Sequence, residues 1–307
     1  MKICIYGGAG FIGTNLAIEL KKENQVEVID NLICGDHNVK FLKEHDIEVQ
    51  EQSIVSLYTV PTIADIIINL ACPASPVKYK QFPIETMMAS TIGVEHLRHI
   101  AEKTGAYFLH ASSSEIYGSV GDGNMKEDKH FAVLNTESSR AIYAESKRVS
   151  EAICNVARNN DQKIGIMRIF NTYGPHMDLN DGRVIPELCK AALGISKFHM
   201  QGGSQARSFM YIDDLIRAIK MMIYNKQDGI YNIGNPGTSI TIKELFWHFK
   251  KKWPITDAND MGKQRDNEIS KRTPDISKIR QDLNWEPYIT LDSGIERTME
   301  WLASTKS

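Results

Sequence analysis

Lys2-Ile3-Cys4-Ile5-Tyr6-Gly7-Gly8-Ala9-Gly10-Phe11-Ile12-Gly13 is the stretch whose reading decides the fold. Its first five residues form a short, mostly apolar run of the kind that makes a buried strand. Gly7, Gly10 and Gly13 follow at three-residue spacing. An amphipathic segment then runs to about Lys22, and a second apolar run, Val26 to Ile29, ends at Asp30. Strand, glycine turn, helix, strand and acid is the order that a dinucleotide requires. The glycines let the backbone approach a pyrophosphate, and the start of the helix offers unpaired N–H groups at a positive dipole end. Asp30 can accept hydrogen bonds from both hydroxyls of an adenosine ribose and would repel a 2′-phosphate. NAD is therefore favoured over NADP.

The rest of the chain fits a globular α/β protein. Its 307 residues are 42% hydrophobic and 24% charged, with a formal net charge of −2. That length suits one large α/β unit or two domains. No basic excess points to nucleic acid or an anionic membrane. No run approaches the length of a transmembrane helix. The chain opens directly on a strand, so no signal peptide is expected. Cysteines stand at 4, 34, 72, 154 and 189, with no CxxC pair. An odd number without metal spacing suits reduced thiols and a cytoplasmic protein.

Strand-like runs recur at 2–6, 25–30, 47–50, 65–70, 106–112 and 164–170. Helical patterns lie between several of them. One spans Ile84 to Lys103, with Met87, Met88, Ile92, Leu97 and Ile100 in rhythm, and another spans Ala141 to Asn159. This alternation predicts a Rossmann-type, doubly wound parallel sheet. After Phe170 the texture changes. Helices are expected at about 185–194, 213–224 and 291–302, and strands at 198–201 and 230–234. Thr241 and Glu244 form a capping box ahead of a further helix. The predicted organisation is an NAD-binding domain over 1–172, to which 208–234 returns. A smaller substrate-binding lobe takes 173–207 and 235–307, over the sheet edge where ligands bind.

Tyr143 and Lys147 are four residues apart, so they share one helix face. A phenol with a pKa of about 10 is a poor base at neutral pH. A nearby ammonium and a cationic nicotinamide favour the phenolate. Ser112-Ser113-Ser114-Glu115 follows the strand 106–110, and a hydroxyl there can share a substrate C–O–H proton with Tyr143. Hydride transfer alone needs no carboxylate at 115, whereas a second proton transfer or elimination does. A glutamate capping a turn is the plainer alternative.

Together these motifs carry a family resemblance. They are Gly7 to Gly13, Asp30-Asn31, Cys72-Pro73-Ala74-Ser75-Pro76, Ser112 to Gly118, Tyr143 with Lys147, Phe170 to Pro175, Asn180 to Val184, Gly203 to Phe209 and Arg272 to Ile276. The chain resembles the UDP-glucuronate decarboxylases. These are extended short-chain dehydrogenases/reductases of the nucleotide-sugar epimerase/dehydratase type. The resemblance runs over nearly the whole chain. It implies oxidation of the sugar at C4, loss of CO₂ from the 4-keto acid, protonation at C5 and re-reduction to UDP-xylose.

The resemblance also implies roles. Ser113 would bind O4, and Lys147 would lower the Tyr143 pKa and hold the nicotinamide ribose. Ser114, Glu115 and Arg207 would serve the decarboxylation. Asn171, Arg183 and Arg272 would meet the nucleotide or its diphosphate. Phe11, Ile12, Asn31, Leu70 and Ala71 would join the glycines and Asp30 around NAD. In similar proteins helices 84–104 and 141–159 form a dimeric four-helix bundle, which implies a homodimer.

Several residues depart from the family pattern. Cys72 replaces a serine, Asn69 a histidine, and Ser53 an aspartate near the adenine. His176 replaces an arginine, and Ser113 a threonine. Of these, His176 and Ser113 are expected nearer the sugar. His96 and His99 lack a third ligand nearby in sequence, and no metal site is expected. A 4-epimerase, a 4,6-dehydratase and a 4-dehydrogenase share the scaffold. A non-catalytic NAD(H)-binding regulator would be expected to have lost Tyr143 or Lys147.

Overall fold

The structure, a computed structural model, describes residues 1–57, 63–118, 124–129, 135–255, 259–260 and 270–305. Its centre is a seven-stranded parallel sheet. Five of its strands are β1 (Lys2–Tyr6), β2 (Gln25–Asp30), β3 (Val49–Glu51), β4 (Ile66–Asn69) and β5 (Tyr107–Ser113). The sheet order is Gly229–Ile233, Ile164–Ile169, β5, β4, β1, β2, β3. Strand order reverses between β1 and β4, the place where a doubly wound sheet opens a ligand crevice. Ile66, Ile67 and Ile68 are essentially inaccessible, as strands covered on both faces require.

Helices flank the sheet. In chain order they are α1 (Phe11–Lys21), α2 (Val39–Lys43), α3 (Pro76–Gln81), α4 (Pro83–Met88), α5 (Val94–Thr104) and α6 (Ala141–Arg158). Then come α7 (Val184–Ala192), α8 (Ile212–Tyr224), α9 (Ile242–Lys250), α10 (Ser277–Leu283) and α11 (Leu291–Ser304). The predicted helix over 84–104 is interrupted by a π-turn, Ala89–Gly93, between α4 and α5. Gly93 there packs so closely on Ile54 that a Cβ would lie 2.5 Å from Ile54 Cδ1. The strand expected at 47–50 starts later, at Val49. Asp46 takes a positive φ of 55° and Ile47 N bonds back to Leu42 O, so the turn after α2 consumes Ile47. At 198–201 only His199–Met200 pairs, with Asn259–Asp260. The capping box of Thr241 and Glu244 forms at the start of α9 as predicted.

Beyond the sheet's C-terminal edge lies a small four-stranded sheet, in the order Ile240–Thr241, Ala206–Arg207, Lys271–Pro274, Asn124–Met125. Asn232 ties this sheet to the main body, and Asp214 ties down the segment that precedes α11. Asn232 donates to Met125 O and Asp275 O at 2.7 and 3.1 Å and accepts from Tyr117 OH at 2.7 Å. Asp214 of α8, wholly buried, accepts from the backbone N–H groups of Tyr288 and Ile289. Beneath the site, Arg168 and Glu151 form a buried ion pair at 2.8 Å, and Ser112 Oγ donates to Glu151 Oε1 at 2.5 Å. A buried pair of this kind persists because its remaining hydrogen-bonding positions are also filled. Arg168 also reaches Tyr117 OH and Glu127 O.

Candidate active site

The β1–α1 turn is built for close approach. Gly7 has φ +79°, and a Cβ on it would lie 2.5 Å from Ala71 N. A Cβ on Gly13 would lie 2.5 Å from Gly7 O. Gly10 is the N-cap of α1, and among the described residues its position makes no side-chain cap bond to the first turn. Asp30 ends β2; its carboxylate accepts from Ala9 N at 3.1 Å and Leu32 N at 2.9 Å. Burial raises its pKa, and those two backbone bonds oppose the rise. Asn31, next in sequence, is exposed. Leu70 and Ala71 follow β4, and Leu70 N bonds Tyr6 O at 2.8 Å. Space that a Cβ would fill, an uncapped helix start and an acid on the neighbouring strand fit a dinucleotide's pyrophosphate and ribose.

The Tyr143 face of α6 meets the end of β5. Tyr143 is buried, and Lys147 Nζ donates to Ala111 O at 2.8 Å, 5.9 Å from the Tyr143 ring centroid. Burial pushes the Tyr143 phenol up, and the Cys72 thiol adds to this. Ser113, a hydrogen-bonding neighbour, and the Arg183 cation pull it down, while Glu115 pushes it up. The resemblance implies that Lys147, together with the cationic nicotinamide, lowers the Tyr143 pKa. In the structure the Lys147 ammonium spends one of its three donors on a backbone carbonyl, and in the protein alone burial keeps the phenol protonated. Tyr79 of α3 stacks on Tyr143, with centroids 5.2 Å apart and planes 11° apart.

A buried chain of hydrogen bonds ties the cofactor loop to this helix. Ala71 N donates to Asn69 Oδ1, and Asn69 Nδ2 lies 3.3 Å from His110 Nδ1. His110 Nε2 lies 2.8 Å from Ser150 Oγ, which donates to Lys147 O. An amide N–H can only donate, so His110 carries its proton on Nε2. Burial, followed by the Lys147 charge, holds its pKa far below the ordinary value. Asn69 thus has a structural place here where the family pattern has histidine.

Glu115 lies in the turn Ser114–Tyr117 directly after β5, and Ser113 Oγ accepts from its N–H at 3.2 Å. Ser114 is buried beside it. Two arginines hold the Glu115 carboxylate: Arg140 Nη2 at 2.6 Å from Oε2, and Arg272, which bonds Oε1. Burial alone would raise the Glu115 pKa. Arg272 and Arg140 outweigh it and hold the group at about 2. Arg272, predicted to meet the nucleotide, is therefore engaged with Glu115. Arg207 lies beside it, in register on the neighbouring parallel strand, and donates to Ala206 O at 2.7 Å. Asn171 Nδ2 donates to Ser208 O. Arg183, the N-cap residue of α7, reaches Ala74 O at 3.1 Å and Asp181 at 3.2 Å.

His176 needs a correction. It does not approach the sugar end but packs between Phe41 and Trp301, with ring centroids 4.7 and 4.9 Å away. Asn38 Nδ2 bridges its carbonyl to that of Ala9, so His176 braces the glycine turn from behind. Burial lowers its pKa to about 4. Ser53 caps the turn Ile54–Ser56 through Val55 N, and Cys72 Sγ contacts Ser90 Oγ at 3.4 Å. His96 bonds Ile54 O and His99 pairs with Glu102. Sequence reading missed Tyr79 and Arg140. Arg140 stands three residues before Tyr143, a spacing that carries no signal by itself, and Tyr79 has none.

A parallel sheet of this order, a glycine turn shaped for a pyrophosphate and a Tyr–Lys helix face define the class. The chain belongs to the NAD dependent epimerase/dehydratase family, whose model matches residues 3–234, and NAD is its cofactor. Among curated relatives, UDP-glucuronic acid decarboxylase 6 of Arabidopsis thaliana is 35% identical over 301 residues, covering 96% of this chain and 87% of that protein. UDP-glucuronic acid decarboxylase 1 of Xenopus tropicalis is 32% identical over 311 residues, covering 98% of this chain and 72% of that protein. Among solved structures, the UDP-glucose 4-epimerase of Thermotoga maritima with UDP-glucose superposes with a TM-score of 0.87 at 25% identity, covering 100% of both chains.

Proposed function

We propose that this protein converts UDP-glucuronate to UDP-xylose through C4 oxidation, decarboxylation and re-reduction. The observation that carries the reading is the meeting of Tyr143, Ser113 and the arginine-bound Glu115 at one strand end. The similarity to UDP-glucuronic acid decarboxylases over nearly the full chain supports it. When bound, NAD⁺ supplies the oxidant for the C4 alcohol, and its cationic ring favours the Tyr143 phenolate.

Gly7, Gly10, Gly13, Asp30, Asn31, Leu70 and Ala71 hold NAD, with Phe11 and Ile12 offering backbone N–H groups. Lys147 holds the nicotinamide ribose. Tyr143 takes the O4 proton, and Ser113 positions that oxygen. Once C4 is a ketone, the C6 carboxylate is β to it, so its C–C bond electrons flow toward the carbonyl as CO₂ leaves. Ser114, Glu115 and Arg207 surround the sugar acid. Asn171 and Arg183 would meet the nucleotide and its diphosphate, while Arg272 is held by Glu115. Segments 1–172 and 208–234 serve the cofactor, and 173–207 with 235–307 serve the substrate.

The free thiols support a cytoplasmic setting. A homodimer formed through α4 to α6 would cover Ile84, Met87, Ile92, Val149 and Val156, which are exposed in the single chain. Among the described residues, no helix is long and apolar enough to cross a membrane.

Incubation with UDP-glucuronate, followed by mass spectrometry, tests the reaction. A product lighter by the mass of CO₂ is expected. A loss of water, or an unchanged mass with inverted C4, would replace this reading with a dehydratase or an epimerase. Persistent absorbance of reduced cofactor would indicate a dehydrogenase.

A further inference from the structure

Glu115 is held from two directions. Arg140 reaches it from the turn that starts α6, at 2.6 Å. Arg272 reaches it from the small sheet with a side chain that is 2% exposed, and its Nε makes no hydrogen bond among the described residues. The Glu115 charge also pushes the Tyr143 phenol toward the protonated form. An unscreened carboxylate here would oppose two things that the reaction needs, formation of the Tyr143 phenolate and the arrival of an anionic sugar.

We propose that Arg140 is a specificity-determining positioning residue: with Arg272 it screens the Glu115 charge, so that the site accepts a sugar bearing a carboxylate. Glu115 is then a fixed ionised group that aims two guanidinium groups, and not a carrier of protons. The coupling follows from distance. Charges this close in a partly desolvated site interact strongly, and removing one member leaves the other's charge exposed to whatever binds next. The inference rests on the decarboxylase reading only for its choice of ligand.

Calorimetric titration of the NADH-loaded protein, which cannot oxidise the C4 alcohol, with UDP-glucuronate and with UDP-glucose provides the test. The two ligands share the nucleotide and differ in the charge at C6. In Arg140→Gln, affinity for UDP-glucuronate should fall about 10-fold or more, while that for UDP-glucose changes less than about 3-fold. Adding Glu115→Gln to that variant should restore UDP-glucuronate binding to within about 3-fold of the unaltered protein, because the charge that needed screening is gone. Glu115→Gln alone should not weaken UDP-glucuronate selectively, and Arg140→Lys should recover most of the discrimination. Equal weakening of both ligands, or additive losses in the double variant, would overturn the proposal. Should Arg140→Gln fail to fold, the Glu115→Gln and Arg140→Lys arms decide alone. Release of CO₂ by the unaltered protein tests the function separately, so either idea can fail without the other.

Discussion

At Glu115 two guanidinium groups fix both the charge of a side chain and its use. Its carboxyl is held at about 2 by Arg272 and Arg140 against the upward push of burial. A group whose folded pKa lies below its unfolded value stabilises the fold fully above the unfolded value, and that stability is lost as pH falls toward the folded one. Glu115→Gln should therefore cost about 2–3 kcal/mol at pH 7, with the difference from the unaltered protein shrinking between about pH 4.5 and 2. Urea unfolding at several pH values measures this. A constant gap across that range would show that the ion pairs do not set the ionisation. At Tyr143 the sign is opposite, because burial favours the neutral phenol. Tyr143→Phe should lower kcat by about 10³-fold or more, with NAD affinity held within a few-fold. Rapid turnover by that variant would remove Tyr143 from the chemistry.

At the scale of elements, the β1–α1 turn carries the cofactor reading. Gly13 faces Gly7 O and Gly8 Cα, each 2.5 Å from where a Cβ would stand. Backbone on both sides leaves nothing flexible to yield, so Gly13→Ala must shift the helix start. The prediction is a loss of about 1–3 kcal/mol in stability and at least about a 10-fold weakening of NAD binding. Thermal melts and NAD titration read the two effects, and unchanged NAD affinity would count against the turn as the pyrophosphate cradle. The chain from Ala71 through Asn69, His110 and Ser150 to Lys147 shows how such elements stay in register. It couples the loop after β4 to the helix of the Tyr–Lys pair with each buried polar group satisfied.

For the whole molecule, the pattern of apolar exposure matters most. Ile84 and Ile92 on one helical run, and Val149 and Val156 on α6, are 59%, 41%, 45% and 64% exposed. Side chains of that size on adjacent helices form the kind of patch that a second copy covers. In the proposed homodimer Val156→Glu places a charge in that patch, and light scattering should then find a monomer with secondary structure intact. A monomeric unaltered protein would exclude this interface.

The sequence alone determined the main sheet and the cofactor end. Period, glycine spacing and Asp30 are local signals, and a strand buried on both faces announces itself as an apolar run. The helix face shared by Tyr143 and Lys147 was legible for the same reason, since spacing within one helix fixes direction. Tertiary structure decided what no local pattern encodes. It brought Arg272 across 157 residues to Glu115 and stacked Tyr79 on Tyr143. It turned His176 away from the sugar to brace the glycine turn, and it gave the Lys147 ammonium to a backbone carbonyl. These are contacts between side chains from distant segments. Their partners are set by which elements pack together, and their charges by how much water that packing removes.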